Sequence, residues 1–255
     1  NNGISVRYGL LEKQASTLNE AYFTYIKNKR PFISLKWAMS IDGKIANEKG
    51  QSQWITSDEA RRYNKKIRFE YDAILTGINT ILKDNSLFNY SVPGYAVKKQ
   101  LLNHKRYYKI LLDSYLRVPP SSKFFSPPTR LIIFTKKGIN LQNRQYGNNV
   151  DIVEVNETQP GLLDITEVIR YLYNIGVGKL FVEGGTKILT SFYNLTLFDK
   201  IYMFMGTKII GGDAVYPPVK GHLIPLDSPS FLSIKNVIRF SNDILIVLKN
   251  VLGNN

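Results

Sequence analysis

Three short stretches set side chains with usable chemistry beside residues that bend the backbone. In SLKWAMSIDGKIAN, residues 34–47, strand alternation puts Ile33, Leu35, Trp37, Met39 and Ile41 on one face and Lys36, Ala38, Ser40 and Asp42 on the other. An ammonium, a hydroxyl and a carboxylate on one face suit charge binding and proton movement, although the pattern also fits a half-exposed strand with its polar side in water. The stretch runs on into DGKIANEKGQSQWITS, where Gly43 and Gly50 permit tight turns and Trp54 sets a flat ring among polar neighbours, as in a ligand-facing loop. In FVEGGTKILTSFY a buried strand ends at Glu183, turns on Gly184 and Gly185 and enters a helix near Thr186. Backbone can approach a ligand closely there, and the free N–H groups of a helix start favour a phosphate, which makes this a candidate dinucleotide site. The G-x-G-x-x-G fingerprint is missing, and glycine at a strand-to-helix turn is often purely structural. The third stretch, TGINTILKDNSLFNY, ends a strand at Gly77 and supplies Thr80 and Asp84.

The elements that must position these groups follow from the apolar runs. Buried strands are predicted over 72–77, 108–113, 129–135, 149–155, 179–185 and 200–210, alternating with helix-like segments, and this implies an α/β fold with a largely parallel sheet. One helix is expected to open at Thr56, with Glu59 completing a capping box. A second carries Ile165, Val168, Ile169 and Leu172 at amphipathic spacing, with Asp164 as N-cap and Gly176 as stop. FLSIKNVIRF and DILIVLKNV, separated by Ser241 and Asn242, predict an antiparallel hairpin at the edge of the sheet. Residues 91–107 read as a long basic loop. In an open α/β sheet ligands gather at the carboxyl ends of strands, where all three stretches fall.

Composition removes several alternatives. Among 255 residues there is no cysteine, which excludes disulfides, thiolate nucleophiles and Cys-based metal sites. The two histidines, His104 and His222, lie far apart in loop-like sequence, so metal chemistry is not expected. No apolar run reaches the length of about 20 residues that spans a bilayer, and the N-terminus lacks a signal-peptide pattern, so a cytoplasmic protein is expected; because the chain begins at Asn1 rather than Met, upstream residues are expected to have been removed. An excess of 34 Lys and Arg over 20 Asp and Glu, a net charge of +14, draws in anions such as phosphorylated metabolites or nucleic acid.

Taken together and in order, RPFISLKWAMSIDGKIA, GQSQWITSDEAR, YDAILTGINTILKDN, ILLDSYLRVP, FVEGGTKIL and KIIGGDAVYP resemble the reductase domain of the bifunctional riboflavin biosynthesis deaminase-reductase, a dihydrofolate-reductase-like family. The resemblance implies a mostly parallel sheet flanked by helices, and NADPH-dependent reduction of 5-amino-6-(5-phosphoribosylamino)uracil to the ribitylamino product. It implies catalytic roles for Lys36, Asp84 and Glu183, and substrate contacts from Ser52, Arg68, Asp84, Phe88 and Glu183. It assigns NADPH to Ala38, Trp54, Thr80, Asp84, Gly185, Thr186, Lys187, Ile188, Leu189, Thr190 and Ser191, with no metal, and it implies a homodimer. Residues 1–30 resemble the end of a deaminase domain and its linker, and 31–255 the reductase domain. The H-x-E and P-C-x-x-C deaminase signature is missing, so the chain is expected to be a fragment or a stand-alone reductase partnered by a separate deaminase.

After Asp84 the family pattern is close to D-P-x-L-T-x-R, whereas this chain reads NSLFNYS, without the proline, the threonine or the phosphate-holding arginine. Lys98, Lys99, Lys105 or Arg106 of the following loop are the candidate replacements. Two other readings stand beside this one. One is a same-fold reductase of another pyrimidine or a pterin. The other is a non-catalytic relative whose loop 97–109, with Tyr107 and Tyr108, grips nucleic acid.

Overall fold

The computed structural model describes residues 3, 5, 7–88, 107–126, 129–140, 146–213, 216–221 and 231–251. Two short helices, α1 (Glu12–Leu18) and α2 (Glu20–Asn28), lead into strand β1 (Phe32–Met39). Then follow α3 (Asp58–Phe69), β2 (Ala73–Gly77), α4 (Ile78–Asp84), β3 (Tyr108–Leu112), β4 (Arg130–Lys136) and β5 (Val150–Val155). A small ribbon, β6 (Glu157–Gln159) and β7 (Leu162–Leu163), precedes α5 (Ile165–Asn174), β8 (Lys179–Glu183), α6 (Thr186–Asn194) and β9 (Lys200–Gly206). The chain closes with β10 (Leu232–Arg239) and β11 (Asp243–Asn250).

A nine-stranded sheet runs in the order β10-β11-β9-β1-β8-β2-β3-β4-β5. From β9 to β5 every neighbouring pair is parallel, while β11 runs antiparallel to both β9 and β10, which is the expected terminal hairpin. The chain steps one way from β1 through β2 to β5 and returns to insert β8 between β1 and β2. The carboxyl ends of β1, β8 and β2 therefore form a switch point, the usual mouth for a ligand in an open α/β sheet.

Alternation along β1 divides the sheet's two faces. Ile33, Leu35, Trp37 and Met39 pack with Val168, Ile169 and Leu172 of α5 and with Leu189 and Phe192 of α6. Ala60 and Ile67 of α3 cover the opposite face together with Tyr71, Phe181 and Phe204. Each fully buried aliphatic or aromatic side chain contributes about 1.5–3 kcal/mol, so both helical layers are held by burial more than by propensity. Asp164 caps α5 as expected, its carboxylate accepting from the N–H groups of Thr166 and Glu167 at 2.8 and 3.3 Å. At the base of the sheet Arg30 forks onto Asp199 at 2.7 and 2.8 Å, and Glu20 of α2 accepts from Lys200 and Lys249.

Several sequence expectations are corrected. The α3 cap is Ser57, whose hydroxyl accepts from Ala60 N–H, because Thr56 lies one residue too early. Strand β1 stops at Met39, so Ser40 and Asp42 do not extend the Lys36 face. Ser40 instead closes a turn with Lys44, Asp42 accepts the N–H groups of Ile210 and Gly211, and Ile41 is exposed. Strand β9 ends at Gly206, four residues short of the apolar run, where a Cβ would strike the Ile55 carbonyl oxygen. Tyr107 and Tyr108 are each 5% exposed and belong to the core, which removes them as a stacking platform for nucleic acid. His104, His222, Lys98, Lys99, Lys105 and Arg106 lie outside the described residues.

Candidate active site

Parallel pairing of β1 and β8 sets Lys36 opposite Glu183, and both point to the α3 side of the sheet. Arg68, near the C-terminus of α3, reaches the same carboxylate, with Nε 2.6 Å from Oε1 and Nη2 2.7 Å from Oε2. Asn64, one turn earlier, donates to Oε1 at 3.1 Å. The Lys36 ammonium lies 3.8 Å from Oε2 and 5.5 Å from the centre of the Phe204 ring. Burial alone would raise the Glu183 carboxyl, but the Arg68 and Lys36 cations and the donated hydrogen bonds outweigh it and hold the group at about 2. Burial lowers the Lys36 ammonium below its ordinary value, with Arg68 adding to the effect and Glu183 opposing it. The result is a dry, ionised carboxylate beside a lysine whose proton is more easily given up than in water.

This cluster lies in the wall of a cleft of about 1110 Å³, more than one small ligand needs. Ser52, Trp54, Thr80, Asp84 and Phe88 line the cleft, as do Ala38, Gly185, Thr186, Lys187, Ile188 and Ser191. Asp84 ends α4, receives a long hydrogen bond from Gln53 at 3.5 Å, and is raised by burial against the pull of Lys83 and Gln53. The Arg68 guanidinium lies over Phe88 at 5.1 Å, and that of Arg61 over Trp54 at 4.2 Å. Leu189 and Thr190 are not brought to the cleft: Leu189 is buried under the sheet and the Thr190 hydroxyl accepts from Lys220 N–H.

On the other wall, α6 starts at Gly185 with no side-chain cap, and a Cβ added to Gly185 would meet nothing within 4 Å. Gly77 packs against the same helix so closely that a Cβ would come within 2.8 Å of Ile188 Cγ1. The first turn of α6 therefore presents free N–H groups to the cleft, an arrangement that fits a phosphate. Beyond the end of β3 the cleft continues over Ser114, Arg117 and Lys123. Sequence reasoning gave no role to these residues or to Asn64. Ser114 and Arg117 stand in DSYLRVP and Asn64 sits one turn before Arg68, so position along the chain was the available signal.

Among the described residues no group of three His, Asp or Glu side chains can hold a metal ion, and no helix is long and apolar enough to cross a membrane. Residues 31–246 match the family described as the RibD C-terminal domain. The riboflavin biosynthesis protein RibD of Aquifex aeolicus is 36% identical over 214 residues, covering 83% of this chain and 56% of that protein. RibD of Actinobacillus pleuropneumoniae is 29% identical over 96% of this chain and 63% of its own length. The chain thus spans somewhat more than half the length of these curated relatives. A solved structure from Thermotoga maritima, titled a diaminohydroxyphosphoribosylaminopyrimidine deaminase/5-amino-6-(5-phosphoribosylamino)uracil reductase, superposes with a TM-score of 0.77 at 28% identity, covering 97% of this chain and 64% of that one. Acinetobacter baumannii RibD has a TM-score of 0.79 at 20% identity, with 97% and 66% covered, a likeness of fold.

Proposed function

We propose that this chain, which belongs to the RibD C-terminal domain family, is an NADPH-dependent reductase of riboflavin biosynthesis acting on 5-amino-6-(5-phosphoribosylamino)uracil. The observation that carries this reading is the meeting, in one cleft, of the Lys36–Glu183–Arg68 cluster with the uncapped start of α6. A nicotinamide dinucleotide fits the second feature. Gly185, Thr186 and Lys187 would hold its phosphates, and Ser114, Arg117 and Lys123 its 2′-phosphate. When bound, NADPH supplies the hydride.

The protein supplies position and protons. Reduction at C1′ forms a C–H bond with the hydride electron pair, breaks the C1′–O4′ bond and requires one proton at the sugar oxygen. Two groups at the cleft are placed to move that proton: Lys36, whose ammonium burial makes more acidic, and Asp84, whose carboxyl burial shifts upward. Glu183 stays ionised and accepts hydrogen bonds from the substrate while keeping Lys36 charged and aligned. Phe88, buried beneath Arg68, shields one side from water, and the exposed Trp54 ring under Arg61 lines the mouth.

The reading carries with it a cytoplasmic homodimer. It also implies a deaminase, either as a domain joined through residues 1–30 or as a separate polypeptide, that delivers the substrate. The test is NADPH oxidation, followed as loss of absorbance, with the substrate generated in place by a separate deaminase. Turnover that falls at least about 10²-fold in Asp84→Asn is expected. Turnover of dihydrofolate alone would overturn the assignment.

A further inference from the structure

The substrate proposed above ends in a phosphate monoester, which is largely dianionic near neutral pH and needs cations not already committed elsewhere. Among the described residues, several of the cleft's cations are paired and others lie off the α3 wall. Lys36 and Arg68 face Glu183 at 3.8 and 2.6 Å. Arg61 pairs with Asp58, donates to the Thr56 carbonyl at 2.5 Å and covers Trp54. Lys83 stands on α4 rather than α3, its ammonium against Gly50, where an added Cβ would come within 2.5 Å of Nζ. Arg117 lies 3.7 Å from Asp113 at the far end of β3, Lys123 lines the same end, and Lys187 sits at the start of α6, all three on the wall assigned to the dinucleotide.

Among the described residues this leaves Arg62 and Lys65 as the unengaged cations on the α3 wall of the cleft. Both are exposed, both line the cleft, and neither has an ion pair or hydrogen bond among the described residues. They stand three residues apart on α3, so their side chains are neighbours and their like charges repel unless an anion lies between them. Lys65 is one turn from Arg61 and three residues from Arg68, about 4.5 Å along the helix axis at the usual rise. It therefore falls between the Trp54 end of the cleft and the Glu183 end.

Resting on that substrate reading, we propose that Lys65, with Arg62 beside it, forms the subsite for the substrate's phosphate monoester. The phosphate docks against the middle of α3, and the sugar runs from there along the helix toward Lys36 and Glu183. This chain thus takes its phosphate grip from the helix wall.

The test compares the phosphorylated substrate with its phosphatase-treated nucleoside. Lys65→Gln is expected to lower the preference for the phosphorylated compound in kcat/KM about tenfold, chiefly through KM, a change worth about 1.4 kcal/mol. Lys65→Arg should restore most of it, Lys65→Gln/Arg62→Gln should lower it further, and Lys66→Gln, on the same helix but away from the cleft, should leave it as in the unaltered chain. Calorimetry with inorganic phosphate gives a readout independent of turnover, with weaker binding expected in Lys65→Gln. Equal phosphate binding, or an unchanged preference in the double variant, overturns the subsite. Failure of the substrate assignment looks different: the unaltered chain would oxidise NADPH with neither compound.

Discussion

Replacing Glu183 by Gln keeps the shape of the side chain and removes the one carboxylate that Lys36 and Arg68 both face. At pH 7 the loss of a charge from a buried ion cluster, with its cations left in place, costs about 3–5 kcal/mol. The unaltered protein has a titration that the variant lacks. Glu183 is held at about 2 in the folded state against an ordinary value of 4.5. That difference of about 2.5 units corresponds to about 3 kcal/mol. Because the folded value is the lower one, the unfolded chain takes the proton first. The stabilisation is complete above about pH 4.5 and drains away as the pH falls toward 2. The stability gap between the two proteins must therefore narrow on acidification, by about 1 kcal/mol between pH 5 and pH 3.5. Urea unfolding of both at half-unit steps from pH 7 to pH 3.5, with equal m-values, measures it. A gap that stays constant over that range would refute an ionised, cation-held Glu183, and with it the claim that Lys36 keeps its proton through this partner.

Other outcomes follow from the same geometry. Lys36→Met should lower kcat about 10²–10⁴-fold while leaving the thermal midpoint within a few degrees, since the buried ammonium is costly to hold, and steady-state kinetics with calorimetry would separate the two effects. Arg117→Ala should raise KM for NADPH about tenfold and move KM for NADH much less, read in parallel titrations of the two cofactors. Gly206→Ala should cost about 3 kcal/mol or more, because its Cβ would meet backbone at Ile55 that has no room to yield. Gly185→Ala, where a Cβ meets nothing, should leave the melting temperature unchanged and weaken NADPH binding measured by fluorescence.

Much of the fold is legible because burial writes it into the sequence. The apolar runs became β2, β3, β4, β5 and β8, and the spacing of Ile165, Val168, Ile169 and Leu172 became the buried stripe of α5. Legibility fails where backbone competition decides. Alternation continues past Met39, yet Gly43, with φ at +79°, and the Ser40–Lys44 hydrogen bonds turn the chain out of the sheet. Thr56 and Ser57 both suit a cap, and one residue of helical phase selects Ser57. The site is legible as types of residue more than as an arrangement. Lys36 and Glu183 stand out at strand ends, but nothing in local spacing shows that Arg68 will close on a carboxylate 115 residues away.

The register of β1 against β8 explains why charge is tolerated at this point. Lys36 pairs with Glu183, and Leu35 with Val182 directly below them faces the opposite layer. A slip of one residue would turn Lys36 into the apolar layer under α5 and α6, so the alternation that builds the core also fixes the ion cluster. Folding does not demand such a cluster, since a complete buried ion set can often be replaced by apolar groups of the same size with no loss of stability, although breaking it piecemeal is costly. Neighbouring positions show that this sheet accepts such groups: Phe181, two residues before Glu183 on the same face, is fully buried. An apolar set replacing all four of Lys36, Asn64, Arg68 and Glu183 would satisfy the fold as well. The presence of a lysine and a glutamate there, joined by Arg68 and Asn64 from a separate helix, is therefore accounted for by what opens above them, the cleft shared with the start of α6.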